Sequence, residues 1–230
     1  MKSHQRAGNR TSRFLLRMIL LSRVILPPKT PCHGDGMNLI KRCLLFEKHT
    51  CPWWLAYSWD HRLRKLVHDA HLILKPYLSE GNRVADIGCG MGYFSIAMAE
   101  YVGASGKVFA VDLQQQMLDV LKKRSQKRNV QGRILTMLAG CEKSDVDVSL
   151  DFILTFWMLH EVEDKEAFLR NWYSYLKDGG NYLLVEPRIH TSRTLFDKEV
   201  KMCKQIGFEQ VSRPRVRLSR AVLFRKKDAA

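Results

Sequence analysis

Val84-Ala85-Asp86-Ile87-Gly88-Cys89-Gly90-Met91-Gly92 is the stretch from which the architecture of this chain can be read. Arg83 to Ile87 is a short apolar strand that runs directly into three glycines at alternate positions, and a helix from Tyr93 to about Val102 follows. A glycine-rich turn between strand and helix lets the backbone approach a ligand without a Cβ clash, while the helix start offers unsatisfied N–H groups. The spacing is G-x-G-x-G. A dinucleotide fingerprint, G-x-G-x-x-G, would need a third glycine at position 93, where the chain has the large Tyr93. An acid, Asp86, stands two residues before the first glycine. It would repel a pyrophosphate and suits a cationic or zwitterionic ligand.

The same rhythm extends in both directions from that turn. Downstream, Lys107 to Asp112 reads as a strand, Gln114 to Arg128 as a helix, and Ile134 to Ala139 and Phe152 to Met158 as further strands. A helix over Asp164 to Leu176, closed by Lys177-Asp178-Gly179-Gly180, leads to a strand over Asn181 to Glu186 and a helix over Thr194 to Ile206. Phe208–Val211 and Val216–Arg225 are β-like and separated by Pro214. Upstream, Leu63, Leu66, Val67, Ala70 and Leu74 are spaced three and four apart, predicting one helix over Asp60 to Leu74. Strands alternating with helices of 10–15 residues predict an α/β fold, a parallel sheet covered on both faces. Two terminal strands with no helix between them predict an antiparallel addition at one edge.

Asp112 ends the second strand, twenty residues after Gly92. A carboxylate there can accept both hydroxyls of a ribose in charge-assisted hydrogen bonds. Taken together, Val84–Gly92, Val111-Asp112, His160-Glu161-Val162 and Leu176–Gly180 resemble the successive motifs of class I S-adenosylmethionine-dependent methyltransferases, closest in flavour to the ubiquinone/menaquinone C-methyltransferases. The resemblance covers roughly residues 75–226. It implies a Rossmann-like seven-stranded sheet of order 3-2-1-4-5-7-6, strand 7 antiparallel, with S-adenosyl-L-methionine as cofactor. Asp86 would then lie near the methionine amino group, and Gly88, Gly90 and Gly92 would line the methionine–ribose path. Asp112 would hold the ribose diol, Leu113 would flank the adenine, and Phe156, between Thr155 and Trp157, would sit over the methionine end. Gly140 or Cys141 falls where the family often has an acid meeting the adenine amine. His160 is the best-placed base, and a packing histidine at a helix start is the alternative.

Composition sets bounds around this reading. The chain has 230 residues, 46% of them hydrophobic and 27% charged, which is ordinary globular composition. No uncharged apolar run reaches the roughly 18 residues of a membrane span. The formal charge of +15 is concentrated at the ends: residues 1–36 and 211–230 each carry seven basic groups and one acid. Residues 1–36 read as a basic, disordered leader, 37–75 as a helical and aromatic cap containing Cys51-Pro52-Trp53-Trp54, and 76–230 as the cofactor-binding domain. Met37 offers an alternative start. The six cysteines show no CxxC pair, and reduced thiols in the cytoplasm fit best. His61, His68 and His71 share a face of the predicted helix, where capping and ion-pair roles with Asp60 and Asp69 compete with metal ligation; no metal is expected. Arg213, Arg215, Arg217 and Arg220 alternate and would share one strand face. Glu186 and His190 follow the fifth strand, at the sheet edge where ligands bind.

The expected function is methyl transfer to a small-molecule acceptor. The alternatives are an RNA or protein methyltransferase using the basic termini, and a non-catalytic partner subunit that keeps the fold.

Overall fold

The structure, a computed structural model, describes residues 62–139 and 149–227. The leader 1–36, the Cys51-Pro52-Trp53-Trp54 cluster, His61, Gly140 and Cys141 lie outside the described residues. Seven strands form one sheet among the described residues: β1 (Arg83–Ile87), β2 (Lys107–Asp112), β3 (Ile134–Leu138), β4 (Leu150–Phe156), β5 (Leu176–Pro187), β6 (Phe208–Ser212) and β7 (Ser219–Lys226). Their order is β3-β2-β1-β4-β5-β7-β6, as expected. The first five are parallel, and β7 runs antiparallel to both β5 and β6.

Phe152–Leu154 of β4 and Tyr182–Val185 of β5 are continuous apolar runs because helices cover both faces of the sheet. Alternation within the strands separates two cores. Ala85, Ile87, Phe109, Val111, Ile153, Tyr182 and Leu184 face one way, onto α5 (Lys165–Tyr175) and α6 (Arg193–Ile206) through Phe168, Leu169, Phe196 and Val200. Val84, Val108, Phe152, Leu154, Leu183 and Val185 face the other way, onto α3 (Tyr93–Val102) through Phe94, Ala97, Met98 and Val102. The remaining long helix, α4 (Gln115–Lys127), buries Leu118 and Leu121 against Ala110 of β2.

Three local expectations are corrected. Asp60–Leu74 is not one helix over its described part: α1 (Arg62–Val67) stops and α2 (Ala70–Leu74) starts anew. Asp69 causes the restart, because its carboxylate accepts the amides of His71 and Leu72 and caps α2. His68 falls in the break, and its Nε2 lies 2.8 Å from the Arg217 carbonyl; His71 meets Asp69 through its amide, as a cap, while its ring pairs with Glu100 at 3.2 Å. Among the described residues, no group of three or more His, Cys, Asp or Glu could hold a metal. The run Lys177–Gly180 does not close a helix, since β5 already begins at Leu176, paired with Leu150. Arg213, Arg215 and Arg217 lie between β6 and β7 rather than along a strand, so the four arginines share no strand face. Arg217 donates to the Leu66 carbonyl, Arg220 to that of Thr191, and Arg213 is 3.7 Å from Asp197.

Candidate active site

The carboxyl ends of β1, β2, β4 and β5 converge on one edge of the sheet, where ligands of open α/β folds bind. After Ile87 the backbone turns at once: the amides of Gly88 and Cys89 both donate to the Val111 carbonyl, at 2.9 and 3.0 Å. All three loop glycines have positive φ, +73° at Gly88, +54° at Gly90 and +82° at Gly92. Their surroundings differ. A Cβ at Gly88 would stand 2.9 Å from the side chain of Met158, and one at Gly92 only 2.1 Å from Leu121 Cδ1 of α4. A Cβ at Gly90 would meet no atom of the described residues within 4 Å. Gly92 is therefore required by helix packing, and Gly90 borders open space at the sheet edge.

Asp112 is 9% exposed and closes the second side of this space. Its Oδ2 accepts the Gly90 amide at 2.8 Å and its Oδ1 the Gln114 amide at 2.9 Å. Burial nevertheless dominates and raises its pKa, against the lowering by the Gln114, Gly90 and Leu113 amides. Leu113 follows directly, half-buried at the start of the turn into α4. Asp86 is buried on the α3 face and accepts from Ser95 Oγ at 2.5 Å. Burial pushes its pKa up to about 6, with Ser95 and Arg64 opposing. Burial, reinforced by the charges of Asp86 and Asp112, keeps the Cys89 thiol protonated well above its ordinary value, so it is no nucleophile.

An aromatic group adjoins Asp86. Phe156 packs against Phe94 at 4.4 Å between centroids and against Trp157 at 5.7 Å, and His68 stands edge-on to both Phe156 and Trp157. Arg64 from α1 lies over Tyr93, 4.6 Å from the ring centroid. Trp157 adopts φ +61°, a conformation rare for a bulky side chain; its amide bonds to Val185 and its indole to Ser219 Oγ. That turn sends the following Met158 onto Gly88.

The fourth part of the site lies beyond β4 and β5. His160 sits in a single helical turn, Leu159–Glu161. Its Nδ1 is 2.5 Å from Oε2 of the fully buried Glu186, which also accepts Thr191 Oγ1 at 3.1 Å. Glu186 Oε1 accepts the Leu159 amide at 2.9 Å. Burial lowers the His160 pKa, but the Glu186 hydrogen bond and charge, with Glu161 and Glu199, outweigh it and hold the pKa above ordinary histidine. His190 stacks 6.0 Å away, its pKa lowered by burial and by the proximity of His160.

This arrangement brings Gly88, Gly90, Asp86 and Asp112 around one space, with Phe156 in the aromatic wall and His160 farther along the edge. Two participants escaped the sequence reading. Met158 covers Gly88 only because Trp157 turns the chain. Lys165 donates to the carbonyls of Leu159 and Val162 and so holds the turn carrying His160.

Residues 84–180 match the family model described as a methyltransferase domain. That stretch is similar to the methyltransferase domains of known enzymes. Over 107 residues, 46% of this chain and 42% of the relative, it is 36% identical to the ubiquinone/menaquinone biosynthesis C-methyltransferase UbiE of Azotobacter vinelandii. Over 152 residues, 66% of this chain and 56% of the relative, it is 29% identical to the demethylmenaquinone methyltransferase of Oceanobacillus iheyensis. The chain thus spans about half the length of these relatives. Among solved structures, a SAM-dependent methyltransferase from Aquifex aeolicus shares the fold with a TM-score of 0.66 at 19% identity, covering 76% of this chain and 98% of that one. Fibrillarin from Aeropyrum pernix with natively bound S-adenosyl-L-methionine aligns with a TM-score of 0.54 at 17% identity, covering 68% and 73%.

The residues at this edge of the sheet fit S-adenosyl-L-methionine on their own geometry. The space at Gly90 admits a ligand against bare backbone, and the Asp112 carboxylate keeps acceptor capacity beside it, since each oxygen takes only one of the two hydrogen bonds named above. Two buried carboxylates, Asp86 and Asp112, suit a ligand with an ammonium, a sulfonium and a sugar diol. No helix among the described residues is long and apolar enough to cross a membrane.

Proposed function

We propose that this chain transfers the methyl group of S-adenosyl-L-methionine to a small acceptor, with a quinone-type ring as the first class to try. The reading is supported by one observation: Asp112 is bonded to the amide of Gly90 at the border of the open space, so a carboxylate able to accept sugar hydroxyls stands beside bare loop backbone. The names of the two relatives support the acceptor class. When bound, the cofactor supplies a methyl group already activated on a sulfonium. The protein then has to align the acceptor and exclude water. In this reading Asp112 holds the ribose diol, with Leu113 on the adenine side. Gly88 and Gly90 line the path to Asp86 at the amino group, Gly92 packs the loop on α4, and Phe156 belongs to the aromatic wall near the sulfonium. His160 takes the proton released by the acceptor. Two buried free thiols, Cys89 and Cys203, suit a reducing compartment such as the cytoplasm.

Calorimetric titration of the full chain with S-adenosyl-L-methionine and, separately, NADH tests this. Micromolar binding of the former alone is expected. Binding of neither overturns the proposal and leaves a non-catalytic subunit with this fold.

A further inference from the structure

We infer that Glu186 is the positioning residue of a proton-accepting His160, and that the site is therefore built for an acceptor whose nucleophilic atom carries a proton. The inference rests on the methyltransferase reading and deepens it. Glu186 and His160 are 26 residues apart, yet the carboxylate reaches Nδ1 at 2.5 Å from a side chain with no exposure at all. A carboxylate there can only accept, so the neutral imidazole must carry its hydrogen on Nδ1 and its lone pair on Nε2. The carboxylate is itself fixed on both oxygens, by the Leu159 amide and by Thr191. Leu159 and His160 are neighbours in one turn, so one side chain sets both the position of the turn and the tautomer of the ring.

Nε2 lies on the opposite side of the ring, and the His160 side chain as a whole is 17% exposed. The Glu161 carboxylate is 4.0 Å from it, beyond hydrogen-bond distance. The other charged or titratable groups facing the ring are Glu186, Glu199, Lys165 and His190, from β5, α6, α5 and the loop after β5. Three carboxylates against one ammonium favour an imidazolium once a proton arrives.

The chemistry balances. As the acceptor atom forms its bond to the methyl carbon, the carbon–sulfur bond breaks with its electron pair left on sulfur, and the acceptor's proton passes to His160 Nε2. One positive charge leaves the sulfonium and one appears on the imidazole, beside Glu186. Enols, phenols and hydroquinones need this relief; a thioether or a tertiary amine has no proton to give and would gain nothing from the pair.

The test is the nitrogen-15 spectrum of the His160 ring in the full chain, titrated with pH, for wild type and Glu186→Gln. Wild type should show the Nδ1–H tautomer and a pKa above that of an ordinary histidine. In the variant, the glutamine carbonyl can keep the Leu159 bond while its amide turns toward Nδ1. The ring should then shift toward the Nε2–H form, and its pKa should fall by about one unit or more. Nε2–H in wild type, or the same tautomer and titration in both proteins, would overturn the inference. Should Glu186→Gln not fold, the wild-type tautomer alone decides, with Thr191→Val as a second variant. Removing that donor should leave Nδ1–H in place and raise the His160 pKa, and an unmoved pKa counts against the pair. Cofactor calorimetry is read separately: an Nδ1–H ring in a protein that binds no S-adenosyl-L-methionine removes the methyltransferase reading and not the pair.

Discussion

The carboxylate of Asp112, at the end of β2, accepts the amide of Gly90 in the loop after β1 at 2.8 Å. The residue proposed to hold a ribose therefore also holds the loop that a ligand would lie on. Asp112→Ala should weaken S-adenosyl-L-methionine binding by about 1–3 kcal/mol, the scale of lost hydrogen bonds to a charged group. Asp112→Asn should cost less, because a carbonyl can still accept from Gly90. Calorimetry on the three proteins checks the order, and equal affinities would remove Asp112 from the ribose.

Gly90 and Gly92 share the left-handed conformation but differ in what surrounds them, so alanine should separate binding from stability. At Gly92 a methyl would stand 2.1 Å from Leu121 Cδ1, between two buried elements. Overpacking and φ strain together should cost about 2–5 kcal/mol there. At Gly90 only the φ strain of about 1–2 kcal/mol applies, and the methyl enters the open space. Gly90→Ala should thus melt only slightly below wild type yet bind cofactor poorly, whereas Gly92→Ala should lose stability first. Thermal melts paired with calorimetry distinguish them, and equal melting losses would contradict the packing role of Gly92.

The loop was legible in the sequence because its requirements are local: three glycines and two acids lie within one strand–turn–helix unit and the next strand end. The parallel, doubly covered sheet was legible because apolar strands such as Val108–Val111 alternate with helices, whereas its strand order came only from the family resemblance. What the sequence hid is tertiary. No spacing rule connects His160 to Glu186, whose meeting depends on β4 and β5 being parallel neighbours, with Phe156 opposite Val185. The break at His68 was hidden for a related reason. The apolar spacing continues through it, while the Asp69 cap and the bond from His68 to the Arg217 backbone decide the geometry. The arginines at 213, 215 and 217 alternate as in a strand, but β6 has already ended at Ser212.

Asp86, if it meets the amino group as proposed, should give cofactor binding a pH dependence. Its pKa is raised to about 6 in the unliganded protein, mainly by burial, and a cationic ligand beside it favours the ionised form. Affinity should therefore rise with pH through 6. If only the ionised form binds, the gain between pH 5 and pH 7 is about tenfold, the ratio of ionised fractions for a pKa near 6. Asp86→Asn should flatten this profile, leaving the smaller contribution of Asp112. Calorimetry at three pH values in buffers of different ionisation enthalpy also reads the released proton; a flat wild-type profile would separate Asp86 from the cationic end of the ligand.

Glu199 should make the fold less stable as the solution turns from acid to neutral. Its carboxylate is 1% exposed and neither oxygen has a hydrogen bond among the described residues; Lys165 approaches only to 3.7 Å. Burial, then repulsion from Glu186, pushes its pKa up to about 7, from 4.5 in an unfolded chain. A carboxyl whose folded pKa lies above its unfolded one binds protons more tightly when folded, so its contribution is complete below about 4.5 and is lost as pH rises to 7. The loss amounts to at most about 3.5 kcal/mol, because a tenfold difference in proton affinity between folded and unfolded chains is worth about 1.4 kcal/mol. Glu199→Gln removes the titration and keeps the shape, so at pH 8 it should be more stable than wild type and at pH 5 nearly equal to it. Urea denaturation of both proteins at the two pH values measures the difference. A variant less stable at pH 8 would mean that the Lys165 charge, and not the desolvation of Glu199, governs this buried site.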